Sequence, residues 1–237
     1  MIDDDDILFE DNHLIIINKK PGQLVQHDKE HNLSLEEYVK EYIKQKYHKP
    51  GNVFLGVIHR IDRPVSGLVL FAKTGKSLAR LNEMLQKHEI QKKYWAITAN
   101  SPEKKEGTLE HYLVRNESKN ISYIKHAMTP NSKRAVLEYK IIAHYKQYYL
   151  WEIELITGRH HQIRCQLAHI QCPIVGDVKY GFPCPNDDKS ISLHSRSISL
   201  IHPVTQQLVY IEAPVPNENI WKYFEKIKTY TKPQTEE

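Results

Sequence analysis

The sequence predicts an α+β fold with a mixed, mostly antiparallel central sheet flanked by helices. Short apolar runs bounded by Gly and Pro recur along the 237 residues and are typical of strands. Most of these runs follow one another with few helical patterns between them, which does not fit the regular strand–helix alternation of a parallel sheet. No internal repeat or Gly/Ser-rich linker interrupts the chain, so we expect a single domain over residues 7–228.

The first half of the sequence predicts four strands and two helices after a disordered acidic tip at residues 1–6. Two short strands fill residues 7–18, and a turn follows before Ser34 and Glu37 form a capping box that begins a helix. Apolar runs at residues 53–58 and 68–72 predict two strands joined by a polar connection. A second helix is expected at residues 76–88.

The second half alternates apolar and polar residues in a way that is typical of half-buried strands. The expected strands lie near residues 92–99, 108–114, 121–124, 134–142, 148–156, 191–201 and 207–213. Helices are expected at residues 160–170 and 217–228, and the polar residues 229–237 predict a disordered tail.

Composition limits the class of protein. The formal net charge is +4, which allows a nucleic-acid partner without requiring one. No apolar run approaches the roughly 20 residues that span a bilayer. The start of the chain is acidic, unlike a signal peptide, and three cysteines do not suggest a disulfide framework, so we expect a cytoplasmic protein.

The polar connection at residues 59–67 (HRIDRPVSG) carries one carboxylate, Asp62, between Arg60 and Arg63. Pro64 fixes its own φ angle and Gly67 permits unusual backbone angles, so a rigid, tight turn is expected. From these residues alone, Asp62 is either a catalytic carboxylate or a structural salt-bridge partner.

This stretch closely resembles the signature of the RluA-type RNA pseudouridine synthases. Further blocks resemble the later motifs of that family and follow in its order, at residues 7–22, 92–97, 157–164, 173–181, 193–195 and 202–203. Members often carry an additional RNA-binding domain before the catalytic one. This chain begins almost at once with residues that resemble catalytic strands, so we expect it to select its RNA with the catalytic domain.

The resemblance implies an isomerase that converts specific uridines of a structured RNA, rRNA or tRNA, to pseudouridine without a cofactor. It implies that Asp62 is the catalytic nucleophile or base. It also implies that Arg164 pairs with Asp62, that Tyr94 lies against the target base, and that Arg60 enters the RNA stack as the uridine flips out. A bidentate contact from Arg164 would keep Asp62 charged.

Three further residues, Arg159, His160 and Gln162, are candidates for contact with the RNA because they lie near a helix N-terminus, where backbone N–H groups favour phosphate. Gln162 is equally a candidate for orienting the loop that precedes this helix. The sequence departs from the family pattern at Val65, His160 and Gln166, where threonine, threonine or serine, and histidine are common.

Two other interpretations, a non-catalytic RNA-binding protein and a metal-binding protein, fit the sequence less well. A non-catalytic RNA-binding protein would not need Asp62, Tyr94 and Arg164 together. The residues His160, His161, Cys165, His169 and Cys172 crowd together, but they match no zinc motif, so no metal is expected. The substrate is open between tRNA and rRNA, and we expect a monomer.

Overall fold

The computed structural model describes residues 2–27, 33–224 and 226, and its strands all belong to one sheet. Its eleven strands are β1 (Ile7–Glu10), β2 (Leu14–Lys19), β3 (Gly56–Val57), β4 (Ser66–Ala72), β5 (Gln91–Thr98), β6 (Glu106–Asn116), β7 (Ile121–Lys125), β8 (Lys133–Tyr145), β9 (Tyr148–Leu155), β10 (Leu193–Ile201) and β11 (Leu208–Glu212). The helices are α1 (Leu35–Lys46), α2 (Gly75–Gln86) and α3 (Gln162–His169).

The strand order is β1-β2-β4-β10-β5-β9-β8-β6-β7, with β11 beside β10 and β3 beside β4. Among the described strand pairs, β4 with β10 is parallel and the others are antiparallel. The predicted α+β fold with a mixed, mostly antiparallel sheet is therefore confirmed.

Both faces of the sheet are covered, which explains why the first four residues of β2 are all apolar. Ile15 and Ile17 pack into the core on the side of α1 and α3, whereas Leu14 and Ile16 pack on the side of α2. The capping box predicted for α1 is present, with Ser34 as its N-cap and Glu37 at the third helical position. Among the described residues, no helix is long and apolar enough to cross a membrane.

Two predicted elements are shorter than expected. The strand predicted at residues 53–58 is reduced to β3, which pairs with Phe71 and Ala72 at the end of β4. The next free N–H of β4, that of Leu70, donates instead to the ring Nε2 of His59 at 3.2 Å. In place of the helix predicted at residues 217–228, the described residues form a 3₁₀ turn, Asn219–Tyr223. Trp221 and Phe224 are three residues apart, so this tighter winding places both in the core.

The N-terminal tip differs from the disordered segment expected at residues 1–6. Asp4–Asp6 form a 3₁₀ turn, and Lys20 pairs with Asp3 at 2.7 Å and with Asp6 at 3.1 Å. The positive charge of Lys20 offsets the repulsion within the acidic run, and so the turn is ordered. The tail predicted at residues 229–237 lies outside the described residues.

Candidate active site

Asp62 lies in the connection between β3 and β4, which we call the Asp62 loop (residues 58–65). A turn at its centre is closed by the Val65 N–H, which donates to the Asp62 carbonyl at 3.0 Å. Two residues further on, the carbonyl of Pro64 accepts from the Ile191 N–H at 3.1 Å. The loop is therefore tied both to itself and to the segment that leads into β10.

A buried lysine supports the same loop from β2. Lys19 is fully buried, and its Nζ donates to the carbonyls of Lys20, Gln23 and Arg63 at 2.9, 3.1 and 3.2 Å. Burial lowers the pKa of Lys19 to about 7, and the negative charge of Asp62 acts in the opposite direction. The three carbonyl oxygens replace the water that the ammonium group loses.

Arg164 joins α3 to the Asp62 loop. Its Nη1 donates to Oδ2 of Asp62 at 2.9 Å. Its Nε and Nη2 donate to Oδ2 and Oδ1 of Asp177 at 2.7 and 2.8 Å. The structure thus gives the bidentate contact to Asp177 and a single bond to Asp62, which differs from the expected bidentate pairing with Asp62.

The difference follows from burial, because the Asp177 carboxylate is almost fully removed from water and needs a charged partner at both oxygens. Burial opposes the charge of Arg164, but the hydrogen bonds and charges of Asp177 and Asp62 outweigh it and raise the pKa of the guanidinium. Arg164 is therefore a permanent cation beside Asp62.

His161 reaches the same carboxylate from the N-terminus of α3. Its Nε2 lies 3.5 Å from Oδ2 of Asp62, and its Nδ1 lies 2.9 Å from the hydroxyl group of Tyr180. Burial, with the charge of Arg164, lowers the pKa of His161 to about 2, so its imidazole is neutral at physiological pH. A left-handed backbone, with φ of 51°, turns the ring toward the loop.

Tyr94 lies at the centre of β5, in register with Ser195 of β10 and Ile153 of β9. Gly67, at the start of β4, pairs with the same Ser195, and a Cβ at Gly67 would lie 2.3 Å from its carbonyl oxygen. This close approach brings the start of β4, which follows the Asp62 loop, near β5. Burial raises the pKa of Tyr94 to about 12, so the phenol keeps its proton at neutral pH.

Two of the predicted RNA contacts are exposed. Arg60 and Arg159 both face solvent, and Nε of Arg159 donates to the Arg134 carbonyl at 2.9 Å. His160 is half-buried, with Nε2 3.0 Å from Oδ1 of Asn120 and Nδ1 2.9 Å from Oγ of Ser122. His160 therefore ties the β6–β7 hairpin to α3, and Arg60 and Arg159 keep their charges available for a ligand.

Gln162 is buried and its amide is fully engaged inside the protein. Its Oε1 accepts from Oγ1 of Thr157 at 2.8 Å and from the Arg159 N–H at 2.9 Å, and its Nε2 donates to the Val136 carbonyl at 3.0 Å. Of the two roles predicted for Gln162, this geometry favours orienting the loop before α3.

The His and Cys side chains that crowd together in the sequence around α3 do not converge on one point. His169 packs edge-on against His111, with ring centroids 5.0 Å apart, while His161 faces Asp62 and Tyr180. Within the part of the chain that the structure describes, no three His, Cys, Asp or Glu side chains are grouped so that they could hold a metal ion.

Reasoning from the sequence did not assign roles to three residues of this site, Lys19, Asp177 and Tyr180. Asp177 and Tyr180 belong to the block at residues 173–181, where a lone acid follows an apolar run, and that position was the available signal. Lys19 is the last residue of β2 and follows the polar Asn18, so nothing in the sequence distinguishes it from an exposed lysine.

Comparisons with known proteins bear on the family to which this chain belongs. The family model described as RNA pseudouridylate synthase matches residues 13–169. The chain is 33% identical over 214 residues to an uncharacterized RNA pseudouridine synthase of Bacillus subtilis, YhcT, covering 89% of this chain and 68% of that protein. It is also 33% identical over 231 residues to the ribosomal large subunit pseudouridine synthase D of Haemophilus influenzae, covering 90% and 68%.

The human protein RNA Pseudouridylate Synthase Domain Containing 4 has a similar fold. Its solved structure matches with a TM-score of 0.75 and 24% identity, covering 89% of this chain and 88% of that one. Because the family model covers more than half of the chain and these relatives share a third of their aligned residues, the chain belongs to the RluA-type RNA pseudouridine synthase family, as its motifs predicted.

Proposed function

We propose that this RNA pseudouridine synthase uses Asp62 as its reacting carboxylate, without a cofactor, on uridines of large-subunit ribosomal RNA. One observation carries the proposal. Asp62 is held by Arg164 at 2.9 Å, yet its side chain remains 28% exposed beside the rigid turn of its loop. A carboxylate that is kept charged and is also open to a ligand suits a nucleophile or a general base.

The reaction breaks the C1′–N1 bond of uridine, turns the base and joins C1′ to C5, so that C5 loses a proton and N1 gains one. No atom is added overall. Asp62 either bonds to C1′ or removes a proton from the sugar, and both uses fit the same oxygen. Arg164 would hold Asp62 in its charged form through either step.

Tyr94 contributes a neutral phenol in this proposal, since its pKa of about 12 keeps the proton in place. Its ring would stack on the uracil once that base has left the RNA helix, and its hydroxyl group would donate to the base. Arg60 would fill the space left in the RNA stack. Arg159, which is exposed, would contact phosphate.

The choice of ribosomal RNA over tRNA is supported by the relatives, several of which are named ribosomal large subunit pseudouridine synthases C or D. Proteins that read RNA sequence usually recognise loops, bulges and helix ends, so we expect the target uridine there.

We also propose that the protein acts as a cytoplasmic monomer, which light scattering and cell fractionation would test.

The test maps pseudouridine in total RNA from cells with the gene intact, deleted, and replaced by the Asp62→Asn variant. We expect one or a few large-subunit sites to disappear in both mutant strains and to return with the wild-type gene. Loss of a tRNA site instead would identify tRNA as the substrate. Persistence of every site, with purified protein that binds RNA without converting uridine, would support a binding protein instead.

A further inference from the structure

The two oxygens of the Asp62 carboxylate have different surroundings. Arg164 Nη1 at 2.9 Å and His161 Nε2 at 3.5 Å both approach Oδ2. Among the residues that the structure describes, none donates a hydrogen bond to Oδ1 of Asp62. One oxygen is therefore held by the protein, and the other is open to a ligand.

The protonation of His161 follows from its neighbours. The Ser122 backbone N–H, which can only donate, gives its hydrogen bond to the Tyr180 hydroxyl oxygen at 2.7 Å. The Tyr180 hydroxyl keeps its own proton to donate, and Nδ1 of His161 lies 2.9 Å away. An Nδ1 that accepts carries no proton, so in a neutral imidazole the proton is on Nε2, the atom that faces Asp62.

The position of the His161 ring is also fixed. It stacks on His160 with centroids 3.8 Å apart at 22°, and it meets the Tyr180 ring edge-on with centroids 5.6 Å apart. The side chain is only 5% exposed. A ring that is stacked on one face and bonded at Nδ1 cannot rotate to present Nδ1 to Asp62 without disrupting these contacts.

We propose that His161 is a positioning residue which, with Arg164, anchors Oδ2 of Asp62 through Nε2–H and leaves Oδ1 as the oxygen that reacts with the ribose. This inference rests on the proposed role of Asp62 as the reacting carboxylate. The 3.5 Å separation shortens into a hydrogen bond when bound RNA excludes water, as often happens in active sites. In this tautomer Nε2 is a donor, so His161 is not the base of the reaction.

The first test is spectroscopic and independent of activity. In the full chain labelled with ¹⁵N-histidine, the His161 signals are assigned from their loss in His161→Asn. We expect the Nε2–H tautomer, unchanged between pH 5 and pH 8 because the pKa of His161 is about 2. Tyr180→Phe removes the donor to Nδ1 and should let the Nδ1–H form appear. A wild-type His161 in the Nδ1–H form would overturn the proposal.

The second test measures single-turnover conversion of a short transcript that contains the uridine identified by mapping. His161→Asn keeps an acceptor near Tyr180, tolerates the left-handed backbone, and is too short to reach Asp62. We expect its rate to fall about 10- to 100-fold with unchanged RNA affinity, because only the orientation of Asp62 is lost. His161→Gln, whose amide reaches further, should recover part of the rate.

The control is Tyr42→Phe, which removes a tyrosine hydroxyl that donates to Glu10, outside the site. It should react at the wild-type rate. A wild-type rate in His161→Asn, or equal loss in the Asn and Gln variants, would contradict the proposal. If wild-type protein converts no RNA at all, the proposed function fails, and the histidine spectrum still decides the tautomer.

Discussion

Two carboxylates that lie among cations, Glu10 at the end of β1 and Asp62 in its loop, are paired very differently. At the end of β1, both oxygens of Glu10 are engaged. Lys73 and Tyr47 bond to Oε1 at 2.7 and 3.0 Å, and Lys46 and Tyr42 bond to Oε2 at 2.7 and 3.0 Å. The Glu10 side chain is only 7% exposed, and this Glu10 cluster joins β1, α1 and the end of β4.

Among the described residues, by contrast, partners approach Asp62 at one oxygen only, and its side chain is four times as exposed as that of Glu10. A carboxylate with every lone pair engaged stabilises the fold and has nothing left for a substrate. A carboxylate anchored at one oxygen keeps its orientation and can still react. The number of partners on each oxygen therefore separates the structural carboxylate from the catalytic candidate more clearly than the presence of neighbouring cations does.

The largest expected effect is that of Asp62→Asn. The amide has a similar shape but is neither a nucleophile nor a base, so conversion of uridine should fall by at least about 10⁴-fold. Binding of substrate RNA should stay within a few-fold of wild type, since phosphate contacts dominate affinity. Single-turnover conversion and filter binding measure the two effects. Loss of binding together with activity would assign Asp62 to the fold, as for Glu10.

Arg164→Met should lower both stability and activity. It leaves the buried Asp177 charge unpaired, and we expect the free energy of unfolding to fall by about 3–5 kcal/mol. Urea denaturation measures this change. In the double variant Arg164→Met/Asp177→Leu no buried charge remains unpaired, so most of the stability should return while conversion stays low. Return of activity in the double variant would show that Arg164 acts only through the fold.

Glu10→Gln should reduce stability without changing the rate of conversion. It removes the charge that faces two lysines, which should cost about 2–3 kcal/mol because these hydrogen bonds are charge-assisted and buried. Burial alone would raise the pKa of Glu10, but hydrogen bonds from Lys46, Lys73 and Tyr47 lower it to about 2.

The pH dependence of this effect has a definite sign. Because the pKa of Glu10 is depressed in the folded protein, its contribution is present above its ordinary pKa of 4.5 and is lost as the pH falls toward about 2. The difference in unfolding free energy between wild type and Glu10→Gln should therefore shrink over that interval. A constant difference would mean that Glu10 is not charged in the fold.

The smallest expected effect concerns Lys19. Its pKa is lowered from 10.5 to about 7, so between these values the unfolded chain binds more protons than the folded one. The stability of wild type relative to Lys19→Met should therefore rise by about 1 kcal/mol from pH 7 to pH 8. Chemical denaturation at both pH values measures it. A flat difference would contradict a lowered pKa at Lys19.

Local patterns predict much of this fold because they depend on neighbours in sequence. The capping box of Ser34 and Glu37, the apolar run of β2 and the turn around Asp62 each follow from a few consecutive residues. Such patterns failed at the acidic tip, where Lys20 on another segment orders the aspartates.

The details of the site depend on contacts that are distant in sequence. Asp62 and Arg164 are 102 positions apart, and Tyr180 meets Ser122 across 58. Family motifs point to the residues and to the pairing of Arg164 with Asp62, which the structure contains. Neither the bidentate pairing of Arg164 with Asp177 nor the tautomer of His161 follows from the sequence. Both are set by which side chains share a buried space.

The most direct measurement compares purified wild type, Asp62→Asn and Glu10→Gln on one large-subunit ribosomal RNA transcript, counting pseudouridines formed per protein molecule. At a temperature where all three are folded, wild type and Glu10→Gln should convert the same uridine at similar initial rates, and Asp62→Asn should convert none. Conversion by Asp62→Asn at a rate near that of wild type would contradict the assignment of the open carboxylate as the reacting group.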